Sequence, residues 1–520
     1  MALLLNRFND STSLYCIFIL VIATYVYYEW LGQGKRGNFQ PARRFHQSER
    51  IFGLSLFKSI AASSKAGTYL KDARERFERN GYTHSIVLAG STIIQTAEPE
   101  NLKAVLGTLQ DDYDSGTVRY NSAFPLLGKG IFTSDGDYWV HSRAILKPCF
   151  TRAGIFNLQN VETHVSRLIS LILQDNEAVD LKPLFFLLSL DTSTVFLLGE
   201  STNSLLSSKG SVTEGEEFAN AFKFCTKEIM TRVRMGRFMF LHRNKNFTEA
   251  CKTCHKFADK YVQKALDQRH REKAGASSGE PKAATLLDEL MKETEDPLEL
   301  RCQLLHLLLA GRDTTASLLS STFFILSKRP DVWAKLRQEV LQYGDVLPTT
   351  AQIQECKYLS FVLKEVLRLY PVIVTNSRMA NKNTYLPVGG GGNGLSKIFI
   401  PKGQVVAYHY HVMHRRKDIF GDDADDFRPE RWETLRPRWE YLPFGGGPRI
   451  CIGRMYALTL PKTKSLHDMI EQLALTEASY TVFRFAQKFR EIQSLDENGW
   501  RENISITSTA ENVKVRMVPA

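Results

Sequence analysis

The sequence predicts a mainly helical α+β fold: one large helix-rich domain with small β-sheets at one side, preceded by an N-terminal transmembrane helix. Three observations carry that expectation. Residues 155–270 read as mostly helical. The segment 298–326 is apolar almost all round, with leucines at 304, 305, 307, 308 and 309, so it should be a central, buried helix. Short runs at 85–88 and 92–96 have the composition of strands. A chain of 520 residues could hold several domains by length alone. No linker divides it after residue 61, however, and no internal repeat is evident. The expected organisation is an anchor at 1–31, a polar linker at 32–60 and a single domain at 61–520.

The anchor comes first along the chain. From Ser11 to Tyr28 there is no charge, and eighteen uncharged residues just suffice to span a bilayer. Tyr25, Tyr27, Tyr28 and Trp30 are placed for the interface. Lys35, Arg36, Arg43 and Arg44 follow the span, whereas only Arg7 precedes it, which leaves the domain in the cytosol. A cleaved signal peptide would need a basic start and a small-residue cleavage site, and neither is present.

After the linker, residues 61–110 should hold a helix and short strands. Residues 110–136, rich in Asp, Gly and Ser, read as a loop over a cavity. Trp139 and Arg143 are four apart and share a helix face. Cys251-Lys252-Thr253-Cys254-His255 fits the C-x-x-C-H pattern of covalent haem attachment. It falls in a charged helical stretch, 246–269, and reads as coincidence. The eight cysteines of a cytosolic domain should stay reduced. Residues 272–285 should be a disordered connection.

In the central helix, Ala310-Gly311-Arg312-Asp313-Thr314-Thr315 brings a glycine and two threonines into an apolar run. These are poor helix formers, and their hydroxyls are expected to open the backbone ladder into a bulge. Asp313 and Thr314 form an acid–alcohol pair suited to moving protons. Taken alone, such a pair as readily caps a helix. Glu365 and Arg368, three apart in the helical segment 359–369, share a face and can pair. Gly389–Gly394 fits G-x-G-x-x-G but neither follows a clear strand nor opens a helix, so it reads as a flexible loop. Arg431 follows in Phe427-Arg428-Pro429-Glu430-Arg431-Trp432.

The stretch Phe444-Gly445-Gly446-Gly447-Pro448-Arg449-Ile450-Cys451-Ile452-Gly453 is the most informative. Glycines such as Gly447 and Gly453 let backbone pass close to a flat group. Pro448 stiffens the approach, Arg449 offers a fork to a carboxylate, and Phe444 can shield the Cys451 sulfur. Residues 455–473 should continue as a helix whose N-terminus helps hold a thiolate.

The order F-x-x-G-x-R-x-C-x-G at 444–453 resembles the cytochrome P450 signature. The acid–alcohol segment, Glu365-x-x-Arg368 and Trp139-x-x-x-Arg143 stand in that family's order, from residue 139 to 453. The resemblance implies the cytochrome P450 fold, helix-rich with small β-sheets. It also implies a haem b whose iron takes the Cys451 thiolate as axial ligand, an arrangement that favours O–O cleavage. It assigns Arg449, Trp139 and Arg143 to the propionates, and Phe444, Gly447 and Gly453 to the haem loop. Asp313 and Thr314 become the catalytic proton relay. Glu365, Arg368 and Arg431 become a buried network that locks the scaffold. Dioxygen is then a co-substrate. NADPH acts indirectly, through NADPH–cytochrome P450 reductase, because the chain carries no flavin or nicotinamide module. Cytochrome b5 is an additional donor within the same implication, and the compartment is the endoplasmic reticulum membrane, single-pass with the catalytic domain cytosolic.

Longer runs narrow the resemblance. LDTSTVFLLGES at 190–201, PLLGKGIF at 125–132, His141-Ser142-Arg143, the glycine-rich 386–394 and MHRRKD at 413–418 look like the fungal alkane- and fatty-acid-hydroxylating P450s. That group implies hydroxylation of the terminal carbon of a long alkyl chain. Oxidation of an alkyl-bearing secondary metabolite, a polyketide or terpenoid, stays open beside it. A haem protein that carries electrons or rearranges a lipid is a third reading, against which the Asp313-Thr314 pair argues. Pocket size should be set by 110–136, by 215–245 and by the polar run 372–378. The balance of 67 Lys+Arg against 56 Asp+Glu gives +11. Without a nucleic-acid motif, that charge points to anionic lipid and an acidic electron donor rather than to nucleic acid.

Overall fold

The computed structural model describes residues 38–151, 158–175, 178–206, 213–274, 285–453, 472–497 and 499–520. The expected membrane span, most of the 272–285 connection and nearly all of the expected 455–473 helix lie outside those residues.

The central helix runs over Pro297–Lys328. Asp296 caps it, its side chain accepting from the Leu298 N–H at 3.1 Å, and Pro297 occupies the first helical position. From Cys302 to Ser327 nearly every side chain is buried, as an all-round apolar helix requires. The Leu181–Leu198 helix packs along it, and Gln472–Lys488 closes the same core from a third direction. Three rings join these helices. The centroids lie 5.1 Å apart for Phe185–Phe323, 4.8 Å for Phe323–Phe485 and 6.2 Å for Phe185–Phe485. Among the described residues one helix, Leu181–Leu198, is long and apolar enough to cross a membrane. Its most apolar stretch is 56% buried inside the body, so it serves as core.

A six-stranded sheet stands at one side, in the order Arg43–Arg44, Thr83–Leu88, Ser91–Thr96, Val405–His409, Thr375–Ala380, Tyr113–Asp114. Its second and third strands form the hairpin expected near 85–96, with Ile86 opposite Ile93 and Ser85 opposite Ile94. Three smaller sheets complete the α+β fold.

Four expectations need correction. The body begins before residue 61: Arg43–Arg44 pairs with the Thr83–Leu88 strand, and Leu54–Ala66 is a helix that buries Leu56 and Ile60. Burial of those two side chains outweighs the polar composition around them. Within 110–136, Thr117–Leu127 is helical, burying Ala123, Leu126 and Leu127. Gly116 and Gly128 flank it, so turn-like composition at its ends hid the helix between. Gly389–Gly394 is a β-hairpin turn rather than a flexible loop. It joins Thr384–Gly390 to Ser396–Ile400, with the Gly389 N–H donating to the Gly394 carbonyl at 2.7 Å. Last, the central helix shows no bulge at 310–315. The Thr314 hydroxyl donates to the Ala310 carbonyl at 2.6 Å, an extra bond on the i−4 carbonyl that leaves the ladder closed.

Candidate active site

The Cys451 loop is folded tightly on itself. The Gly445 N–H donates to Leu442 O at 3.1 Å, the Ile450 N–H to Gly447 O at 3.0 Å and the Cys451 N–H to Phe444 O at 3.0 Å. Phe444 thus holds the cysteine through its carbonyl. Gly447 has φ +68°, and a Cβ there would sit 1.6 Å from the Leu106 carbonyl oxygen. A Cβ on Gly446 would stand 2.8 Å from the Trp439 ring. The glycines expected to clear a flat group are therefore demanded first by protein neighbours. Gly453 is different: the nearest atom to its added Cβ, among the described residues, is the Cys451 sulfur at 3.7 Å. Cys451 is exposed, whereas Cys225, Cys251, Cys254, Cys302 and Cys356 are buried. The C-x-x-C-H cysteines thus belong to the core of the Lys245–Lys273 helix.

Around this loop the fold gathers cations. Trp139 and Arg143 lie on the Gly136–Thr151 helix. Arg143 Nη1 donates to Ile450 O at 3.0 Å, and its guanidinium stands 5.8 Å from the Trp139 ring centre. Arg449 stacks on the same ring at 4.4 Å, pairs with Asp135 at 2.7 Å and donates to Ser115 Oγ at 2.9 Å. Two further arginines join them that sequence reasoning missed. Arg119 donates to Ser377 O at 3.1 Å and to the Asn376 side chain, and Arg378 is buried on the neighbouring strand. Desolvation, then repulsion from Arg378, pushes Arg119 down to about 10. Desolvation also lowers Arg449, and Arg378 adds to it. Among the described residues, Asp135 is the one carboxylate ion-paired with Arg119, Arg378 or Arg449. Such an excess of buried positive charge suits a doubly anionic group. The signal was a lone arginine in the 372–378 run, a type that is seldom buried without a partner. Beside the cluster is a cavity of about 310 Å³ lined by Ser134, Asp135, Tyr138 and Met379.

The central helix offers one open face. Between Cys302 and Ser327 only Ala310, Gly311 and Thr314 are half-exposed; a Cβ on Gly311 would meet Ser193 Oγ at 2.9 Å, so the open side is that of Ala310 and Thr314, four residues apart. Asp313 lies off that face, buried, with Arg312 Nη1 at 2.8 Å from its carboxylate. Burial raises the Asp313 pKa, and Arg312 opposes that shift. The structure therefore places the acid and the alcohol side by side in sequence but on different sides of the helix. Ile452 packs in the same apolar cluster as Leu304–Leu309, which ties the cysteine loop to this helix.

Glu365 sits at the centre of a fully buried network. Arg368 Nε and Nη2 donate to its two oxygens at 2.9 and 2.8 Å, and Arg431 Nε donates at 2.8 Å. Trp432 Nε1 adds a bond at 3.0 Å, a partner the sequence reading did not name. Arg368 also reaches the His414 and Asp426 carbonyls at 2.9 and 3.2 Å. Every lone pair of the buried carboxylate that needs a donor has one.

The cytochrome P450 family model matches residues 53–460. The chain belongs to the cytochrome P450 family. It is 40% identical over 480 residues to cytochrome P450 monooxygenase fsdH of Fusarium heterosporum, covering 90% of this chain and 81% of that protein. It is 40% identical over 512 residues to cytochrome P450 52A12 of Debaryomyces hansenii, with 94% of each covered. To cytochrome P450 52E1 of Candida apicola it is 42% identical over 446 residues, 81% of each.

This P450 is a monooxygenase that uses haem iron with a cysteine thiolate ligand and dioxygen, fed with electrons by a reductase. Its residues fit that cofactor. The exposed Cys451 offers the thiol, and the arginine cluster supplies the charge that two propionates need.

Proposed function

We propose that this P450 hydroxylates the terminal carbon of a long alkyl chain, in a fatty acid or an n-alkane, at the endoplasmic reticulum membrane. The observation that carries the reading is the open face of the central helix. The small side chain of Ala310 leaves room for a slender apolar chain, and Thr314 brings a hydroxyl beside it, while Gly311 gives its space to Ser193 of the Leu181–Leu198 helix. The likeness of the 190–201 and 125–132 runs to alkane- and fatty-acid-hydroxylating P450s supports it.

In this reading the Cys451 thiolate would hold the haem iron, and Arg143, Trp139 and Arg449, joined by Arg119 and Arg378, would hold the propionates. Gly447 and Phe444 keep the loop folded, and Gly453 leaves room beside the sulfur. Haem bound there supplies dioxygen activation, with the thiolate pushing electron density that favours O–O cleavage. Thr314 Oγ1 and the Asp313 carboxyl move protons toward the open face. Leucines of the central helix keep water from it. Glu365, Arg368 and Arg431 hold the segment that leads into the cysteine loop.

Membrane attachment rests on the uncharged span 11–28 and on an exposed apolar patch. Phe240 and Leu241 are 69% and 66% exposed, and the exposed Phe52 meets Phe238, two residues before Phe240, with ring centres 6.2 Å apart. Arg50, Arg237, Arg243 and Lys245 border the patch in sequence, suited to anionic headgroups. NADPH–cytochrome P450 reductase and cytochrome b5 would dock on the remaining basic surface.

A second reading, oxidation of an alkyl-bearing secondary metabolite, has support in the Thr375-Asn376-Ser377-Arg378 run, which is more polar than a pure alkane pocket needs. Product analysis separates the two. Microsomes containing the enzyme and reductase are given NADPH and a graded series of fatty acids and alkanes. A terminal alcohol or diacid that disappears in Cys451→Ala supports the ω-hydroxylase. No turnover despite a thiolate-type ferrous–CO spectrum moves the substrate to a secondary metabolite, and an active Cys451→Ala enzyme sinks both.

A further inference from the structure

We propose that Arg312 is a positioning residue for proton delivery, holding the Asp313 carboxylate off the open face of the central helix and handing control of it to the helices that cover that side. The inference rests on the relay reading of Asp313 and Thr314 given above.

Adjacent residues of a helix point in different directions and do not ordinarily pair. Arg312 reaches Asp313 nonetheless, Nη1 to Oδ1 at 2.8 Å, with both side chains only 4% exposed. Its guanidinium is held in that pose by two aromatic faces. Phe186, on the Leu181–Leu198 helix, lies 5.4 Å from it, and Phe222, on the Glu214–Met235 helix, lies 6.0 Å away. Among the described residues the buried Arg312 Nε has no hydrogen-bond partner, so the rings and the carboxylate are what fix the group. Ser189 pins the backbone beneath, its hydroxyl donating to the Arg312 carbonyl at 2.9 Å.

The charged groups acting on Asp313 are Arg312 on its own helix and Lys223 on the Glu214–Met235 helix. The Leu181–Leu198 helix faces this turn with Ser189 and Ser193, and Thr507 reaches the next turn through the Ser317 hydroxyl. Burial favours the protonated acid and Arg312 the ionised one. An ion-paired carboxylate cannot donate a proton toward Thr314. It must first take a proton from solvent and leave the guanidinium. After it gives that proton to the open face, the carboxylate returns to Arg312, and no net charge is created. Phe222 belongs to a helix over which the chain runs on to the exposed Phe240 patch, so motion of that covering helix reaches the acid through Arg312.

The test uses the full chain with haem loaded, in microsomes with reductase. Four variants are compared: Arg312→Gln, Arg312→Lys, Phe222→Leu and Asp313→Asn. The ferrous–CO spectrum checks haem loading. Infrared difference titration of the resting protein reads the Asp313 carboxyl, identified as the band lost in Asp313→Asn. Product formed per NADPH is followed against pH. Arg312→Gln should move the carboxyl midpoint to higher pH and lower coupling by about tenfold, less than the loss from removing the acid. Arg312→Lys should restore the midpoint in large part, and Phe222→Leu should shift it in the same direction as Arg312→Gln but less. If Asp313→Asn uncouples turnover while Arg312→Gln and Phe222→Leu leave midpoint and pH profile unmoved, Arg312 is only structural and the inference fails. If Asp313→Asn stays fully coupled, the relay reading itself falls.

Discussion

Gly447 is the position where one methyl group would do most damage. Its left-handed φ costs a residue with a Cβ about 1–2 kcal/mol, and that Cβ would enter the Leu106 carbonyl at 1.6 Å. Gly447→Ala should therefore fail to load haem, read as loss of the ferrous–CO band with a lowered melting temperature. Gly453→Ala, with the Cys451 sulfur 3.7 Å away, should fold and shift only the position of that band. Glu365 is the second sensitive residue. Glu365→Gln strands Arg368 and Arg431 in a buried site, a loss of about 3–5 kcal/mol when one partner of a buried pair is removed. Urea unfolding would measure it. Both residues stood out in the sequence because the motifs around them are spaced for chemistry. The physical reason for Gly447 did not, because Leu106 meets it only after the chain has folded.

At the scale of elements, the central helix was legible because its leucines run all round it, and its 310–315 turn was misread. Propensity argued for a bulge. The Thr314 hydroxyl instead bonds the Ala310 carbonyl within an unbroken helix. Thr314→Ala removes that hydroxyl but no backbone bond. It should keep the thiolate spectrum and helix stability while product per NADPH falls by about tenfold or more and peroxide rises. The Thr117–Leu127 helix and the Thr375–Ala380 strand show the opposite failure. The first lies in a stretch that reads as loop and the second begins in what reads only as a polar run, yet they deliver Arg119 and Arg378 to the cationic cluster, because pairing and burial outvoted local preference. The exposed Phe240-Leu241 step makes a prediction of its own. Phe240→Ser with Leu241→Ser should weaken membrane association of the full chain, seen as easier extraction of the double variant from microsomes by high salt.

Across the whole molecule, buried histidines set the response to acid. Burial is the leading cause in each case, lowering His84 to about 4 and His306, His409 and His414 to about 3. Their unfolded value is 6.5, so below it the unfolded chain takes up protons that the folded one refuses. Stability is then fully present above about pH 6.5 and is lost progressively as pH falls from there toward about 3. Urea midpoints across that range should drop, and less steeply in His409→Gln, which removes one of these groups. The sequence by itself determined the helical class, the cysteine loop and the Glu365–Arg368 pair. Each depends on residues close together in the chain or on a spacing that chemistry imposes. Only the tertiary structure decided which cations meet around Cys451, why Gly447 is glycine and which way Asp313 faces. Those outcomes depend on contacts between segments far apart in sequence, whose energies exist only once the helices and the sheet are packed.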